Sequence, residues 1–229
     1  MNNFKNEIKP TKQVKSKKRV ADHGEVFTAD REVIAMLDLV KQETERIDSR
    51  FLEPACGEGV FLSEILKRKL KIVETRYAKS QKEYERYSFL AISSIYGIDI
   101  LEDNAIICRK KLFEVFRSGY IKLFGVKINE DYLKSINYVL YLNIIYGDAL
   151  TLKTAGLIHE SITFSEWSLV VQNLVQRRDF KMKTLLETKA YDVPNLFSDL
   201  GDDVFIPEPV KTYPLQSIYN LAEHVQKQL

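Results

Sequence analysis

Residues 51–62 read FLEPACGEGVFL, and this stretch decides the fold. A short apolar run ends in the acidic residue Glu53, glycines follow at Gly57 and Gly59, and a helix-forming apolar segment begins at Val60. A strand, a glycine turn and a helix in this order receive a nucleotide-like ligand at the carboxyl edge of a parallel sheet. Glycine lets the backbone approach the ligand closely, and the helix N-terminus offers free N–H groups to an anion.

Further strands and helices alternate along the chain. Residues 93–100 and 139–146 predict a second and a third strand, and residues 161–164 predict a short fourth strand. Helical spacing predicts helices over 30–46 and 102–116. This alternation predicts an α/β protein with a doubly wound, mostly parallel sheet.

Other segments are less regular. The polar, tyrosine-rich residues 71–92 predict a helical extension or insertion, and residues 120–137 predict a second insertion. Residues 171–190 fit either a helix or a strand hairpin. Prolines and acids beyond Val193 predict an extended tail, with a final helix over 215–228.

The uneven charge distribution suggests three parts. Residues 1–20 hold seven Lys or Arg and one Glu, whereas residues 187–208 hold six Asp or Glu and one Lys. The basic segment either follows phosphates or is a solvated tail. We expect a flexible basic arm over 1–20, the α/β domain over 21–190 and an acidic, proline-containing extension over 191–229.

The composition indicates a protein of the reducing cytoplasm. The longest apolar runs fall well short of the ~18 residues that a membrane span requires, and the N-terminal residues lack the apolar core of a signal peptide. Cys56 and Cys108 are the only cysteines and cannot form a disulfide framework, and the three histidines are scattered. We therefore expect neither a membrane partner nor a metal.

Four segments resemble, in the right order, motifs of the S-adenosylmethionine-dependent DNA adenine-N6 methyltransferases of restriction–modification systems. EPACGEGVFL at 53–62 resembles motif I, GEVFT at 24–28 motif X, YGIDI at 96–100 motif II and NIIYGDAL at 143–150 motif III. The resemblance implies a Rossmann-like methyltransferase fold over roughly residues 19–150. Because only 65 residues follow Phe164, the C-terminal side of such a sheet can be incomplete.

The resemblance implies S-adenosyl-L-methionine as cofactor. Its carboxylate would bind Phe27, Thr28 and the glycine turn, and its ammonium would bind Glu53 or a carbonyl of that turn. Its ribose hydroxyls would bind Asp99, which ends the second predicted strand. The implied cofactor-binding residues are Phe27, Thr28, Glu53, Pro54, Ala55, Cys56, Gly57, Gly59, Asp99, Ile100, Asp148 and Ala149.

Ile100 and Asp148 would bind the adenine, Ile100 as an apolar wall and Asp148 as acceptor for the exocyclic amine. Each acidic residue also has an ordinary structural explanation. Asp99 could cap the following helix, and Asp148 could be a turn residue. Cys56 is expected to pack behind the turn rather than to react.

The catalytic loop of this family, Asn/Asp/Ser-Pro-Pro-aromatic, has no clear counterpart, because the chain contains no Pro-Pro. Residues 162–168 read ITFSEWS at the equivalent place. Ser165, Glu166 and Trp167 are the candidate catalytic residues, as an acceptor for the target amine and a stacking surface for the flipped base. The alternative is that Trp167 is buried at a strand end.

The implied reaction is methyl transfer to adenine N6 of DNA. No recognition domain fits in the remaining length, so DNA recognition would come from a separate subunit or be absent. The basic run 176–183 would contact DNA or that partner, or form a solvated face. Two alternatives stay open, namely an inactive cofactor-binding subunit of a DNA-defence complex and a methyltransferase of RNA or protein. A nicotinamide-dependent oxidoreductase is disfavoured, because the third glycine of its fingerprint is missing.

Overall fold

The computed structural model describes residues 28–187 and 207–223, together with Ser16, Arg19 and Ala21. Phe27, most of the motif X-like segment and most of the basic arm lie outside the described residues. The helices are α1 (Asp30–Asp38), α2 (Lys41–Thr44), α3 (Val60–Tyr77), α4 (Gln81–Ser93), α5 (Glu102–Phe124), α6 (Glu130–Asn143) and α7 (Met182–Glu187). The strands are β1 (Phe51–Glu53), β2 (Ile95–Asp99), β3 (Ile144–Asp148), β4 (Lys153–Thr154), β5 (Thr163–Leu169), β6 (Leu174–Lys181), β7 (Lys211–Thr212) and β8 (Gln216–Ser217).

The strands form two sheets. In the first, β1, β2 and β3 are parallel neighbours in that order, and β4 pairs antiparallel with β3. In the second, β5 and β6 form an antiparallel hairpin, and both β7 and β8 pair with β6. The α/β class is confirmed, but the sheets are mixed, and the expected parallel pairing holds for β1–β3 alone among the described strands.

The two faces of the parallel sheet have different covers. Ile95 of β2 packs in a core built mainly from α3, α4, α5 and α6. Tyr96 and Ile98 belong to a second cluster with Phe164 of β5 and Met182 of α7. Side chains of a strand alternate between faces, so helices cover one face while a hairpin and a short helix cover the other.

Two helices, α3 and α4, connect β1 to β2. They confirm the helical structure predicted for residues 71–92. The helix after the glycine turn runs to Tyr77, and Ser80 then caps α4 by accepting from the Glu83 N–H. Tyr84 and Phe89 are buried on its inner face. The tyrosine-rich segment is therefore a core helix, as apolar and aromatic residues at helical spacing predict.

The third strand was predicted to begin too early. Residues 139–143 belong to α6, which Asn129 caps by accepting from two backbone N–H groups, and β3 begins only at Ile144. Val139 and Leu140 are buried on the helix face that Ile136 shares. A short apolar run fits a buried helix as well as a buried strand, so periodicity alone could not place this boundary.

The predicted C-terminal helix is wrong where the structure describes it. Residues 216–217 pair with β6 as a strand, and Leu221–Glu223 form a single turn of 3-10 helix. Ile218 and Leu221 are buried in the helical core. Tertiary pairing thus decides the conformation of this segment. No helix in the described part of the chain is long and apolar enough to span a membrane.

A buried lysine joins α3 to the segment before β1. Lys69 is fully buried, and its Nζ donates to the Ser49 carbonyl, to the Ile47 carbonyl at 3.2 Å and to Ser94 Oγ at 2.6 Å. Three acceptors satisfy the three donors of an ammonium. Burial nevertheless lowers the pKa of Lys69 to about 7.

We expect Lys69→Met to lower the free energy of unfolding by about 1–3 kcal/mol, because buried acceptors lose their donor. Between about pH 7 and 10.5 the unfolded chain carries a proton on Lys69 that the folded chain lacks. The stability of the wild type therefore rises with pH across that window, and the variant lacks this contribution. Urea unfolding at several pH values measures both effects. Lys67→Met, at an exposed position of the same helix, is the control, and equal pH slopes in the wild type and Lys69→Met would contradict the expectation.

Candidate functional site

The turn after β1 folds back onto the end of β2. The Cys56 N–H donates to the Ile98 carbonyl at 2.8 Å, and the Gly59 N–H donates to the Cys56 carbonyl at 2.8 Å. Gly57 and Gly59 both have positive φ, +52° and +77°. Glycine adopts this region without the steric penalty that a side chain brings, which explains why the turn carries glycine at both positions.

Gly59 is also required by packing. A Cβ built on Gly59 would lie 2.6 Å from Cys108 Sγ of α5, and one built on Gly97 would lie 2.9 Å from Leu62 Cδ1 of α3. The sequence suggested that Gly57 and Gly59 make room for a ligand. The structure shows that Gly59 makes room for the protein itself, because α5 packs directly beneath the turn.

Asp99 connects the turn to the end of β2. Its Oδ2 accepts from the Gly57 N–H at 2.7 Å, and its Oδ1 accepts from the Leu101 N–H at 2.9 Å and from Asn104 Nδ2 at 3.3 Å. The side chain is 7% exposed. A carboxylate offers about four acceptor positions, so one remains for a ligand hydroxyl, on Oδ2. The expectation that Asp99 accepts both ribose hydroxyls therefore requires the turn to release one of these bonds.

Asn104 is a residue of this site that the sequence analysis missed. It lies in the first turn of α5 and is 1% exposed. The sequence signal that could have identified it is a polar residue five positions after Asp99, in the first turn of a predicted helix. The pattern gave no reason to separate Asn104 from an ordinary solvated first-turn residue.

Glu53 and Ile100 end two neighbouring parallel strands at the same edge. Glu53 is half-buried, and burial raises its pKa although the Ala55 N–H opposes this shift. Ile100 is 47% exposed directly after β2. An acceptor and an exposed apolar side chain thus follow from the strand ends at the same edge as Asp99.

Asp148 ends the third strand at this edge. Its Oδ1 accepts from the Leu150 N–H at 2.8 Å and its Oδ2 from Thr151 Oγ1 at 3.0 Å, and the backbone bond keeps its pKa below the ordinary value. These bonds are those of a turn residue, yet the carboxylate retains an acceptor position. Ala149, next to it, is half-buried.

The remaining described residues of the predicted set differ in exposure. Pro54 and Ala55 are exposed on the turn, and Thr28 is half-buried just before α1. Cys56 is buried, and its hydrogen bond with Cys108, together with burial, strongly raises the pKa of its thiol. A buried thiol with a raised pKa is a poor nucleophile, which agrees with the predicted packing role.

The candidate catalytic residues do not form a loop at this edge. Ser165, Glu166 and Trp167 lie within β5. Ser165 Oγ donates to Asp179 Oδ1 at 2.8 Å, and the Ser165 carbonyl accepts from the Tyr96 hydroxyl at 3.0 Å. Ser165 is therefore committed to contacts within the protein.

Glu166 and Trp167 also contact other parts of the protein, at residues that precede the parallel strands. Glu166 pairs with Arg50, which directly precedes β1, and Trp167 Nε1 donates to Asn143 Oδ1 at 3.1 Å. Trp167 is 5% exposed and packs edge-on against Phe89. No face of the indole is open to a flipped base in this arrangement, so the expectation of an acceptor and stacking platform at 165–167 is corrected.

Both arginines of the basic run 176–183 form ion pairs within the protein. Arg177 forms a two-pronged ion pair with Asp179, with both distances 2.8 Å, and stacks on Tyr213. Arg178 Nη2 lies 2.6 Å from Glu166 Oε2. These contacts hold β5, β6 and β7 together, so the run offers phosphates less charge than its sequence suggests.

An open depression of about 690 Å³ lies elsewhere, between the starts of α4 and α6. Gln81, Glu85 and Tyr219 line it, and the Glu85 carboxylate accepts from Gln81 and from the hydroxyls of Tyr120 and Tyr219. Glu85 is 3% exposed and satisfied by these donors. This network stabilises the helical layer and shares no residue with the edge of the parallel sheet.

The described residues contain no cluster of three or more His, Cys, Asp or Glu side chains that could hold a metal ion. No protein-family model, no curated protein and no solved structure matches this chain.

We expect Gly59→Ala to destabilise the fold by about 2–4 kcal/mol, because a Cβ in the left-handed region is strained and overlaps Cys108 Sγ. Gly119→Ala is the matched control, since a Cβ there meets only the Tyr84 hydroxyl at 3.8 Å and removes a helical glycine. The control should gain about 0.5–1 kcal/mol. Adding Cys108→Ala should remove the overlap with Sγ and restore part of the lost stability, but the backbone strain should remain. Denaturant unfolding measures all variants, and a Gly59→Ala protein as stable as Gly119→Ala would refute the packing role.

Proposed function

We propose that the chain binds S-adenosyl-L-methionine at the carboxyl edge of β1, β2 and β3, as a subunit of an adenine-N6 DNA methyltransferase with a Rossmann-like core. The observation that carries this proposal is the hydrogen bond from the Gly57 N–H to Asp99 Oδ2. It joins the segments that resemble motifs I and II at one edge, and β3 brings Asp148 to the same edge. Ligands of parallel α/β sheets bind at the carboxyl ends of the strands.

The charge of this edge favours a cationic ligand. Glu53, Glu58, Asp99 and Asp148 belong to the strand ends or the turn that form it. A dinucleotide or a triphosphate would bring further negative charge to these carboxylates, whereas an adenosyl sulfonium with an ammonium group brings positive charge. The sulfonium cofactor is therefore favoured over a nicotinamide dinucleotide.

Each residue of the edge is assigned to the ligand group that its chemistry suits. Glu53 accepts from the ammonium, and the uncapped N-terminus of α3 receives the carboxylate together with Thr28. Oδ2 of Asp99 accepts from one ribose hydroxyl, and Ile100 packs against the adenine. S-adenosylmethionine supplies an electrophilic methyl group, and transfer to adenine N6 releases a proton and S-adenosylhomocysteine.

The acceptor for the target amine comes from a partner subunit in this proposal. The groups of β5 that resemble a catalytic loop are engaged within the protein, and the described residues after Phe164 build the second sheet. DNA recognition and the stacking surface for the base therefore belong to the partner.

A second candidate function is a cofactor-binding subunit that transfers no methyl group. The burial of Ser165 and Trp167 favours it, because an active enzyme needs an accessible acceptor and aromatic ring beside the base. Both candidates require the same adenosyl site.

Radiolabelled methyl transfer distinguishes the two candidates. The chain is assayed alone and with the proteins encoded beside it, using DNA, RNA and protein as acceptors. Transfer to DNA in the presence of a partner supports the first candidate. Cofactor binding without transfer to any acceptor supports the second, and transfer to RNA or protein would replace DNA as the substrate.

We expect Asp99→Asn to weaken S-adenosylhomocysteine binding roughly tenfold or more, because a charge-assisted hydrogen bond contributes about 1.5–3 kcal/mol. Titration calorimetry measures the affinity, and circular dichroism checks the fold. Asp48→Asn, at an exposed position before β1, is the control. An unchanged affinity in folded Asp99→Asn, or no binding by the wild type, would reject the adenosyl site.

We expect the same affinity to fall as the pH drops through the pKa of Glu53, because a protonated carboxyl no longer attracts the ammonium. Burial raises this pKa, so the loss begins at a higher pH than for an ordinary glutamate. Glu53→Gln should bind weakly at every pH and lack this dependence. Glu45→Gln, at an exposed position after α2, should retain it, and a pH profile unchanged by Glu53→Gln would remove Glu53 from the site.

A further inference from the structure

A continuous series of hydrogen bonds links Arg19 to the glycine turn. Arg19 Nη1 lies 2.8 Å from Asp103 Oδ2, and Arg19 Nη2 lies 3.2 Å from both Asp103 Oδ1 and Asn104 Oδ1. Asn104 Nδ2 donates to Asp99 Oδ1, and Asp99 Oδ2 accepts from the Gly57 N–H. Arg19 is thus connected to the turn through two side chains.

The chemistry of the neighbours fixes the orientation of the Asn104 amide. A guanidinium only donates and a carboxylate only accepts, so the amide oxygen faces Arg19 and the amide nitrogen faces Asp99. The flipped amide would place two donors together and two acceptors together. Because Asn104 is 1% exposed, water cannot readily replace either bond.

Arg19 is suited to hold this arrangement. Its fork contacts Asp103 with two nitrogens and Asn104 with one of them, and its side chain is only 25% exposed. Bidentate contacts of arginine define geometry as well as charge, which a lysine cannot reproduce. The contact joins residues 84 positions apart in the chain.

We propose that Arg19 and Asn104 are positioning residues, which hold the Asp99 carboxylate so that Oδ2 faces the turn and the ribose hydroxyl of an adenosyl ligand. The ligand part of this inference rests on the proposed function. Because linkage is reciprocal, a ligand that binds Asp99 Oδ2 also tightens the contact between Arg19 and α5. Occupancy of the edge is thereby coupled to the contact between Arg19 and α5.

The test compares Arg19→Met, Arg19→Lys and Asn104→Leu in the full-length chain. Arg31→Met is the matched control, because Arg31 is 87% exposed and Glu32, its ion-pair partner among the described residues, is 4.0 Å away. The first readout needs no ligand and is hydrogen exchange at the Gly57 amide, the donor to Asp99. The second is the preference for S-adenosylhomocysteine over its 2′,3′-dideoxy analogue, measured by calorimetry.

We expect faster Gly57 exchange in Arg19→Met and Asn104→Leu, with exchange in the middle of α3 unchanged. The preference for the ribose hydroxyls should fall roughly fivefold in Arg19→Met, and Arg19→Lys should restore only part of it. Arg31→Met should match the wild type in both measurements. If Asn104→Leu fails to fold, Arg19→Met carries the test alone.

The outcomes separate this inference from the proposed function. Ribose preference and Gly57 exchange equal to those of Arg31→Met would overturn the positioning role while the adenosyl site stands. If the wild type binds no S-adenosylhomocysteine, the proposed function fails, and with it the coupling to a ligand. Gly57 exchange then decides whether Arg19 positions Asp99, and unchanged exchange overturns that as well.

Discussion

The Asp99 carboxylate is the interaction on which the rest of this edge depends. It is the common acceptor for the turn after β1, for the exit of β2 and for the first turn of α5. Together with the bond from the Cys56 N–H to the Ile98 carbonyl, it connects the turn to β2 and β2 to α5. Because three of the roughly four acceptor positions of the carboxylate are used within the protein, a single position on Oδ2 is left for a ligand.

Glycine serves two purposes here that a sequence cannot separate. The positive φ of Gly57 and Gly59 belongs to the turn, as the motif predicts. The closeness of Gly59 to Cys108 and of Gly97 to Leu62 belongs to helix packing on the sheet. Both requirements favour the absence of a Cβ. The motif therefore predicts a close approach to the backbone, but it does not distinguish an approaching ligand from a packed helix.

The sequence predicts local structure where local and tertiary preferences agree. The bounds of β1, the start of α3 and the polar strand ends at Asp99 and Asp148 follow from the pattern itself. Residues 139–143 were misplaced because an apolar run fits either regular structure. The C-terminal strand and the role of Trp167 depend on pairing with β6 and on Asn143, which are distant contacts that no local pattern contains.

The position of β5 separates the proposed adenosyl site from the residues that resemble a catalytic loop. Acidic and apolar groups lie at the carboxyl edge, where the adenosyl sulfonium is proposed to bind. The Ser165 hydroxyl and the Trp167 indole instead make contacts within the second sheet and the helical core. Freeing Trp167 would cost a buried hydrogen bond and a large packed surface, of the order of 3–5 kcal/mol. A free-energy cost of that size is a large fraction of the total free energy of unfolding of a domain. A partner that brings its own acceptor avoids that cost, which is why the proposed function gives the base-facing half of the site to a second subunit.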